Sequence, residues 1–429
     1  MSSDSPVKFK EAKLHSATGS NDYDIRAGII AVDYYEDLLK PGTNMTLSYR
    51  DTGDANGKSV FDALPIESRV KISLTFEGKG FEPWEVDVEN YLLVKSSGAK
   101  KDSKQETVTL GFITKDCITN FDTQIKEKFE GPISKSVEKM LRENLGITKD
   151  IDSERTQHSY EFRAGSFKNP KETDPESGVP RDKRAFDTII PTLAKKAIPE
   201  RGDTEDCGYL FYEDYDGYHF RSMFSLMQEK PVATYFVSNV NKSSFYRDNQ
   251  FVIMDHKFIS TGESETAKFN SLGGGRVATT TTDLVTGKTT KSVATGSQIS
   301  LGSEDIKINK RGRKTSTITK TTPLKSDNSP DYRKEAGENY NFPWEGNSII
   351  NYNRFFNSQK LSVTVPFNPR LRVGNIIEIN FPEKNPLSNN KKIDEKISGK
   401  YIIKELNHSF TGNDSLTRLM VLRNSFGRT

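Results

Sequence analysis

The chain has 429 residues, which at roughly 150 per domain sets an expectation of two to four domains. Its 62 basic and 59 acidic residues leave a formal net charge of +3, which excludes a protein that coats a polyanion through bulk charge. Hydrophobic residues make up only 33%, yet 25 Phe, 16 Tyr and 2 Trp exclude a disordered chain, and 2 Cys exclude a disulfide scaffold.

To about residue 120 the chain reads as β. Val70, Ile72, Leu74 and Phe76 alternate with Lys71, Ser73 and Thr75, and Val108, Leu110 and Phe112 repeat the period of two. Turn clusters at Lys40-Pro41-Gly42, Asp51-Thr52-Gly53 and Ser96-Ser97-Gly98 are expected to separate the strands of a small antiparallel barrel or sandwich. After Asp122 the period changes. Pro132 opens an expected helix in which Ile133, Val137, Met140, Leu141 and Leu145 form one apolar stripe, and Gly146 stands at its C-cap. A polar loop, 168–183, precedes a second helix through Phe186, Ile189, Ile190, Leu193 and Ala197, which Pro191 is expected to kink. Tyr209–Glu213 and Tyr218–Arg221 flank an Asp-Gly turn and predict a hairpin.

From about Phe236 the pattern is β again. Residues 276–326 are rich in Thr, Ser, Gly and Lys, which predicts exposed hairpins or an extended arm, and 327–345 reads as irregular loop. Leu361, Val363, Val365 and Phe367 alternate, followed by Ile377, Ile379 and Phe381. After a polar loop at 383–398 come Tyr401–Phe410 and Leu416–Leu422. The outline is mainly β with an α/β middle section: 1–120, 121–235, and 236–429 with an insertion at about 276–345.

No HExxH, CxxC pair, Walker A loop or GxSxG occurs. Five histidines (His15, His158, His219, His256, His408) are scattered, and Gly273-Gly274-Gly275 reads as a turn or bulge. Glu213, Asp214, Asp216 and His219 are the best candidates for acid–base or metal chemistry. The hairpin explains them more simply: Asp and Gly build the turn, with the charges expected in solvent. Lys307, Lys310, Arg311, Arg313, Lys314, Lys320 and Lys325 form a run without acids, a candidate contact for a polyanion or an acidic partner. Trp84 and Trp344 are candidates for an exposed aromatic platform or for core. No apolar run reaches the roughly 18–20 residues that span a bilayer, and the start lacks the apolar stretch of a signal peptide. The two cysteines, Cys117 and Cys207, fit synthesis in a reducing cytoplasm. No catalytic, cofactor-binding or metal-ligating residue, and no cofactor, is expected.

The C-terminal run Leu371-Arg372-Val373-Gly374-Asn375-Ile376-Ile377, then Ser398-Gly399-Lys400-Tyr401-Ile402-Ile403, then Leu406-Asn407-His408-Ser409-Phe410 and Leu416–Asn424, resembles the closing barrel of contractile-tail phage baseplate hub proteins. The hairpin Tyr209–Ser222 and the segment Thr280–Gly287 with its Asp283 resemble further elements of the same family, closest to the T-even-type myovirus hub. The resemblance implies two tube-like antiparallel β-barrels with a mixed α+β domain attached. It implies a homotrimeric, pseudo-sixfold ring that joins a hexameric tail tube or tube initiator to a trimeric central spike. Surrounding baseplate proteins would be further partners. DNA would pass through the lumen, for which Lys71, Ser73 and Thr75 are the kind of lining residue. It also implies a non-enzymatic virion protein of the tail baseplate, assembled in the host cytoplasm. The alternatives are the hub of a contractile injection or secretion machine, a tail-associated adhesin, and a cell-wall hydrolase.

Overall fold

The computed structural model describes residues 7–17, 22–51, 69–78, 81–102, 105–125, 127–157, 159–160, 162–163, 184–237, 251–260, 277–283, 289–294, 296–297, 300–302, 304–305, 316–322, 344–356, 359–383, 393–411 and 414–426. The expected 168–183 loop, the glycine run 273–275, His158 and most of the 383–398 and 327–345 loops lie outside them.

The period-two pattern of the first section becomes an antiparallel sheet. Its strands are β1 (Val7–His15), β2 (Asp22–Asp24), β3 (Ile29–Asp37), β4 (Asn44–Asp51), β5 (Lys71–Gly78), β6 (Phe81–Val86), β7 (Tyr91–Asp102) and β8 (Gln105–Thr114). They run in the order β3-β4-β8-β7-β5-β1-β2, with β6 also on β5. Ile72, Leu74 and Phe76 are buried on β5, and Val108, Leu110 and Phe112 on β8, so one phase of each strand faces inward. The turn Lys40-Pro41-Gly42 joins β3 to β4; a Cβ at Gly42 would stand 2.2 Å from Cys117 Sγ. Ser96-Ser97-Gly98 is not a turn. It stays inside β7, where register shifts at Leu93/Lys95 and Ser97/Lys100 absorb the extra residues as bulges.

The middle section holds helices and a three-stranded sheet. Helix α1 (Lys115–Asp122) leads to α2 (Ile133–Lys139), which continues as a π turn over Met140–Asn144. Ile133, Val137, Met140, Leu141 and Leu145 are buried as the stripe requires, and Gly146 ends the helix at φ +65°. Pro132 is the N-cap with extended backbone, not a first-turn residue. Helix α3 starts as Ala185–Thr188, and the expected kink takes the form of a π turn, Ile189–Leu193, that contains Pro191. Strand β9 (Asp150–Ser153) pairs parallel with β11 (Gly217–Ser222), and β11 pairs antiparallel with β10 (Tyr209–Glu213). The short helix α4 (Met223–Met227) follows, its N-cap Ser222 accepting from Ser225 N. Every residue of β10 is buried, because it has core on both faces. Leu210 and Tyr212 join the barrel core, whereas Tyr209 and Phe211 join the helical core with Tyr218 and Phe220.

The second barrel begins with β12 (Ala233–Val237), β13 (Val252–Ile253) and β14 (Asp255–Ser260). The chain then forms a small sheet in which β15 (Val277–Asp283) pairs antiparallel with β16 (Thr289–Ala294) and parallel with β17 (Ser316–Thr322). The sheet is not fully exposed: helix α5 (Glu345–Phe356) packs Ile350 against Val277 and Ala294. The barrel resumes with β18 (Gln359–Pro366), β19 (Ile376–Asn380), β20 (Gly399–Thr411) and β21 (Ser415–Arg423). Pairing runs β12-β19-β20-β21-β18-β14, and β13, joined to β14 through Met254, pairs back onto β12. This closes the ring, which removes free strand edges.

Strand β20 belongs to both barrels. Its first half pairs with β19, from Gly399↔Ile379 to Ile402↔Ile376. Its second half pairs with β3, from Glu405↔Asp37 to Thr411↔Ala31, while β21 covers its other edge. The two barrels are therefore one continuous 15-stranded sheet over one core. The fold is mainly β with an α/β middle section, as the sequence predicts. Among the described residues, no helix is long and apolar enough to cross a membrane, and Cys117 and Cys207 are both buried.

Candidate functional site

The candidate carboxylates do gather, but Glu213 and Asp214 are not in solvent. The tip of the β10–β11 hairpin is driven between the two barrels. Glu213 is fully buried: Thr43 N donates to it at 3.0 Å, Thr114 Oγ1 at 2.7 Å, and Lys149 Nζ lies 2.5 Å away. Burial pushes the Glu213 carboxyl up, and Lys149 opposes the shift. Asp214, also buried, builds the turn as expected, accepting from Asp216 N and Gly217 N. Its other oxygen is 2.9 Å from His219 Nε2. Burial works against charge on His219, but the Asp152 and Asp214 carboxylates outweigh it and hold the imidazole up at about 9. Asp216 is the exposed member, yet Arg372 from the second barrel grips it with Nε at 3.0 Å and Nη2 at 3.2 Å.

Sequence reasoning missed Glu36. It is 2% exposed on β3 and accepts from three units: Tyr34 OH in its own strand, Tyr215 N in the hairpin and Val373 N in the second barrel. Burial first, and Asp214 second, push its carboxyl up to about 8. The signal was available, because Val32, Tyr34 and Glu36 share the inward phase of β3 and a carboxylate there needs partners. Tyr215 completes the joint. Its ring stacks on Trp84 at 5.2 Å, the Arg372 guanidinium lies 4.6 Å over it, and its hydroxyl donates to Glu85 O. Trp84 is thus core, not an exposed platform, and Trp344 donates to Lys196 O.

The arrangement does mechanical work. Glu36 and Glu213 accept backbone or hydroxyl donors from other units while Asp214 holds the hairpin tip, so the cluster locks three units together. Among the described residues, no group of His, Cys, Asp and Glu is arranged to hold a metal ion. Of the basic run, Lys307, Lys310, Arg311, Arg313, Lys314 and Lys325 lie outside the described residues; Lys320 lies on β17.

The closing-barrel motif also has a local cause. Gly399 (φ +137°) lies where a Cβ would meet Arg423 Nη2 at 2.8 Å. The buried Arg423 donates to Ile397 O and Ser398 O and stacks over Tyr401. Ser398 Oγ accepts from Phe381 N.

No protein-family model matches the chain, and no curated protein matches it by sequence. Solved structures do match. The 43 kDa tail protein of prophage MuSo2 from Shewanella oneidensis aligns with 96% of this chain and 98% of its own, at 11% identity and a TM-score of 0.52. A tail protein from Neisseria meningitidis aligns with 98% of this chain and 100% of its own, at 12% identity and a TM-score of 0.50. The chain shares its fold, end to end, with these tail proteins, and the resemblance drawn from the motifs holds at that level.

Proposed function

We propose that this protein is the structural hub subunit of a contractile phage-tail baseplate. Three copies form a ring in which two barrels per chain give six, matching a hexameric tail tube on one side and a trimeric central spike on the other. The observation that carries this reading is the full-length fold likeness to two tail proteins. The welding of the two barrels through β20 supports it, since a ring under load needs its repeats fixed relative to one another. The structural use of Glu36, Glu213 and Asp214 supports scaffolding over catalysis. In this reading the division at about 120 and 235 separates the barrels from the middle domain. The lumen that passes DNA is lined by outward-phase residues such as Lys71, Ser73 and Thr75, and the protein resides in the virion.

The test mixes the purified protein with a contractile-tail tube protein and a trimeric central spike protein from the same source, followed by sizing. The reading expects a complex with three copies per spike trimer. Failure to bind either partner would contradict it. The basic run Lys307–Lys325 is proposed as a partner or polyanion contact. Reversing Lys310, Arg311, Arg313 and Lys314 should then weaken one of these complexes, or DNA binding, in a salt-dependent way. Unchanged binding would remove that role.

A further inference from the structure

Strand β20 passes from β19 to β3 between Ile402 and Glu405, and a histidine lies within the half that pairs with β3. His408 is opposite Tyr34 in the β20–β3 register and is 0% exposed. Its ring stacks on Tyr34 at 6.1 Å and meets Trp84 edge-on at 5.9 Å and Phe367 at 4.9 Å. Nδ1 shares a 2.9 Å hydrogen bond with Thr417 Oγ1, which also accepts from Asn368 N. Nε2 is buried with no hydrogen-bond partner among the described residues. Around it stand Tyr34 from β3, whose hydroxyl donates to Glu36, Trp84 from β6, Phe367 and Arg372 from the connection after β18, and Thr417 from β21. None offers a carboxylate within ion-pair distance of the ring. Arg372 adds repulsion to the desolvation that already holds this imidazole far below its usual range. The site accommodates a neutral ring and has nothing to receive a proton's charge.

We propose that His408 makes the seam between the two barrels acid-sensitive: protonation of this one ring opens the β20–β3 junction while the rest of the fold persists. The inference does not depend on the hub reading, since it rests on the cage alone. The sign follows from linkage. A base whose folded form resists protonation contributes stability that is intact above its unfolded value of 6.5 and declines as pH falls below it. Glu36, held up at about 8, acts in the opposite direction between 4.5 and 8, so the wild-type curve alone would mask the effect. The difference between wild type and a His408 variant isolates it.

The experiment has three readouts on the full chain. Imidazole nuclear magnetic resonance from pH 7 downward should find His408 neutral as long as the seam is closed, with the protonated ring appearing only together with the opened β20–β3 junction; ordinary titration near 6.5 in the closed protein would overturn the proposal. Urea unfolding of wild type against His408→Phe, which fills the cage, and His408→Gln, which retains a partner for Thr417, should separate below pH 6.5. The wild-type folding constant should lose about tenfold per pH unit relative to either variant. Parallel curves would overturn it. Hydrogen exchange on acidification should expose the β3 and β20 amides in wild type before those of β10 and β11, and should not do so in the variants. Simultaneous exposure of all four would mean global unfolding and contradict a local seam.

Discussion

At the scale of the residue, the joint is held by a small number of buried acids, of which Glu36 reaches furthest. Replacing it with alanine strands the Tyr34 hydroxyl and the Tyr215 and Val373 amides, at about 1–3 kcal/mol for each buried group left unpaired. Glu36→Ala should therefore lower the unfolding free energy by about 3 kcal/mol or more, read from the urea midpoint at constant m-value. Glu36→Gln should lose less. The pH dependence has a definite sign. The Glu36 carboxyl is held above its ordinary 4.5, at about 8, so the stability it contributes is complete below 4.5 and is lost as pH rises through 8. Wild type should lose stability relative to Glu36→Gln over that window; parallel profiles would contradict the assignment. The hairpin acids were legible in the sequence as a cluster, and the turn role of Asp214 was legible too. The burial of Glu213 and the clamp on Asp216 were not, because they come from Thr43, Thr114 and Arg372, which lie far away in the chain. No local pattern encodes that approach.

At the scale of the element, the strands that one core faces were readable and the strands that two cores share were not. β5 and β8 alternate cleanly because one side is core. β10 has no alternation because both sides are core, so its five residues announced a hairpin without announcing where it sits. β7 misled for a different reason: Ser96-Ser97-Gly98 has turn composition, but bulges let a strand carry it. The hairpin's placement depends on close backbone approach. Gly217, at φ +151°, lies where a Cβ would be 2.3 Å from Asp150 O on the parallel strand β9. Gly217→Ala should destabilise the protein by about 3 kcal/mol, from backbone strain and the clash with β9 together. The β9 amides should also lose hydrogen-exchange protection first. A loss below about 0.5 kcal/mol would mean that β9 is not held there, since that is the scale of neutral surface changes.

At the scale of the whole molecule, the continuous sheet is the feature that ties the chain together. One strand passes from barrel to barrel, one hairpin is wedged into the seam, and one core runs beneath both. The β–mixed–β outline came from composition and periodicity. The weld came only from the register, because β20 reads as a single strand whichever partners it has. In the proposed reading, a chain built this way presents two barrels fixed to one another, the arrangement with which a threefold ring would meet a sixfold tube. The most direct test is the mass of the purified protein with its spike in solution, by light scattering, with negative-stain images of the same sample. The hub account predicts three chains of 48.3 kDa, about 145 kDa beyond the spike's own mass, and rings of sixfold texture around a central hole. A protein that stays a single chain in the presence of the spike, with no ring in the images, would contradict it.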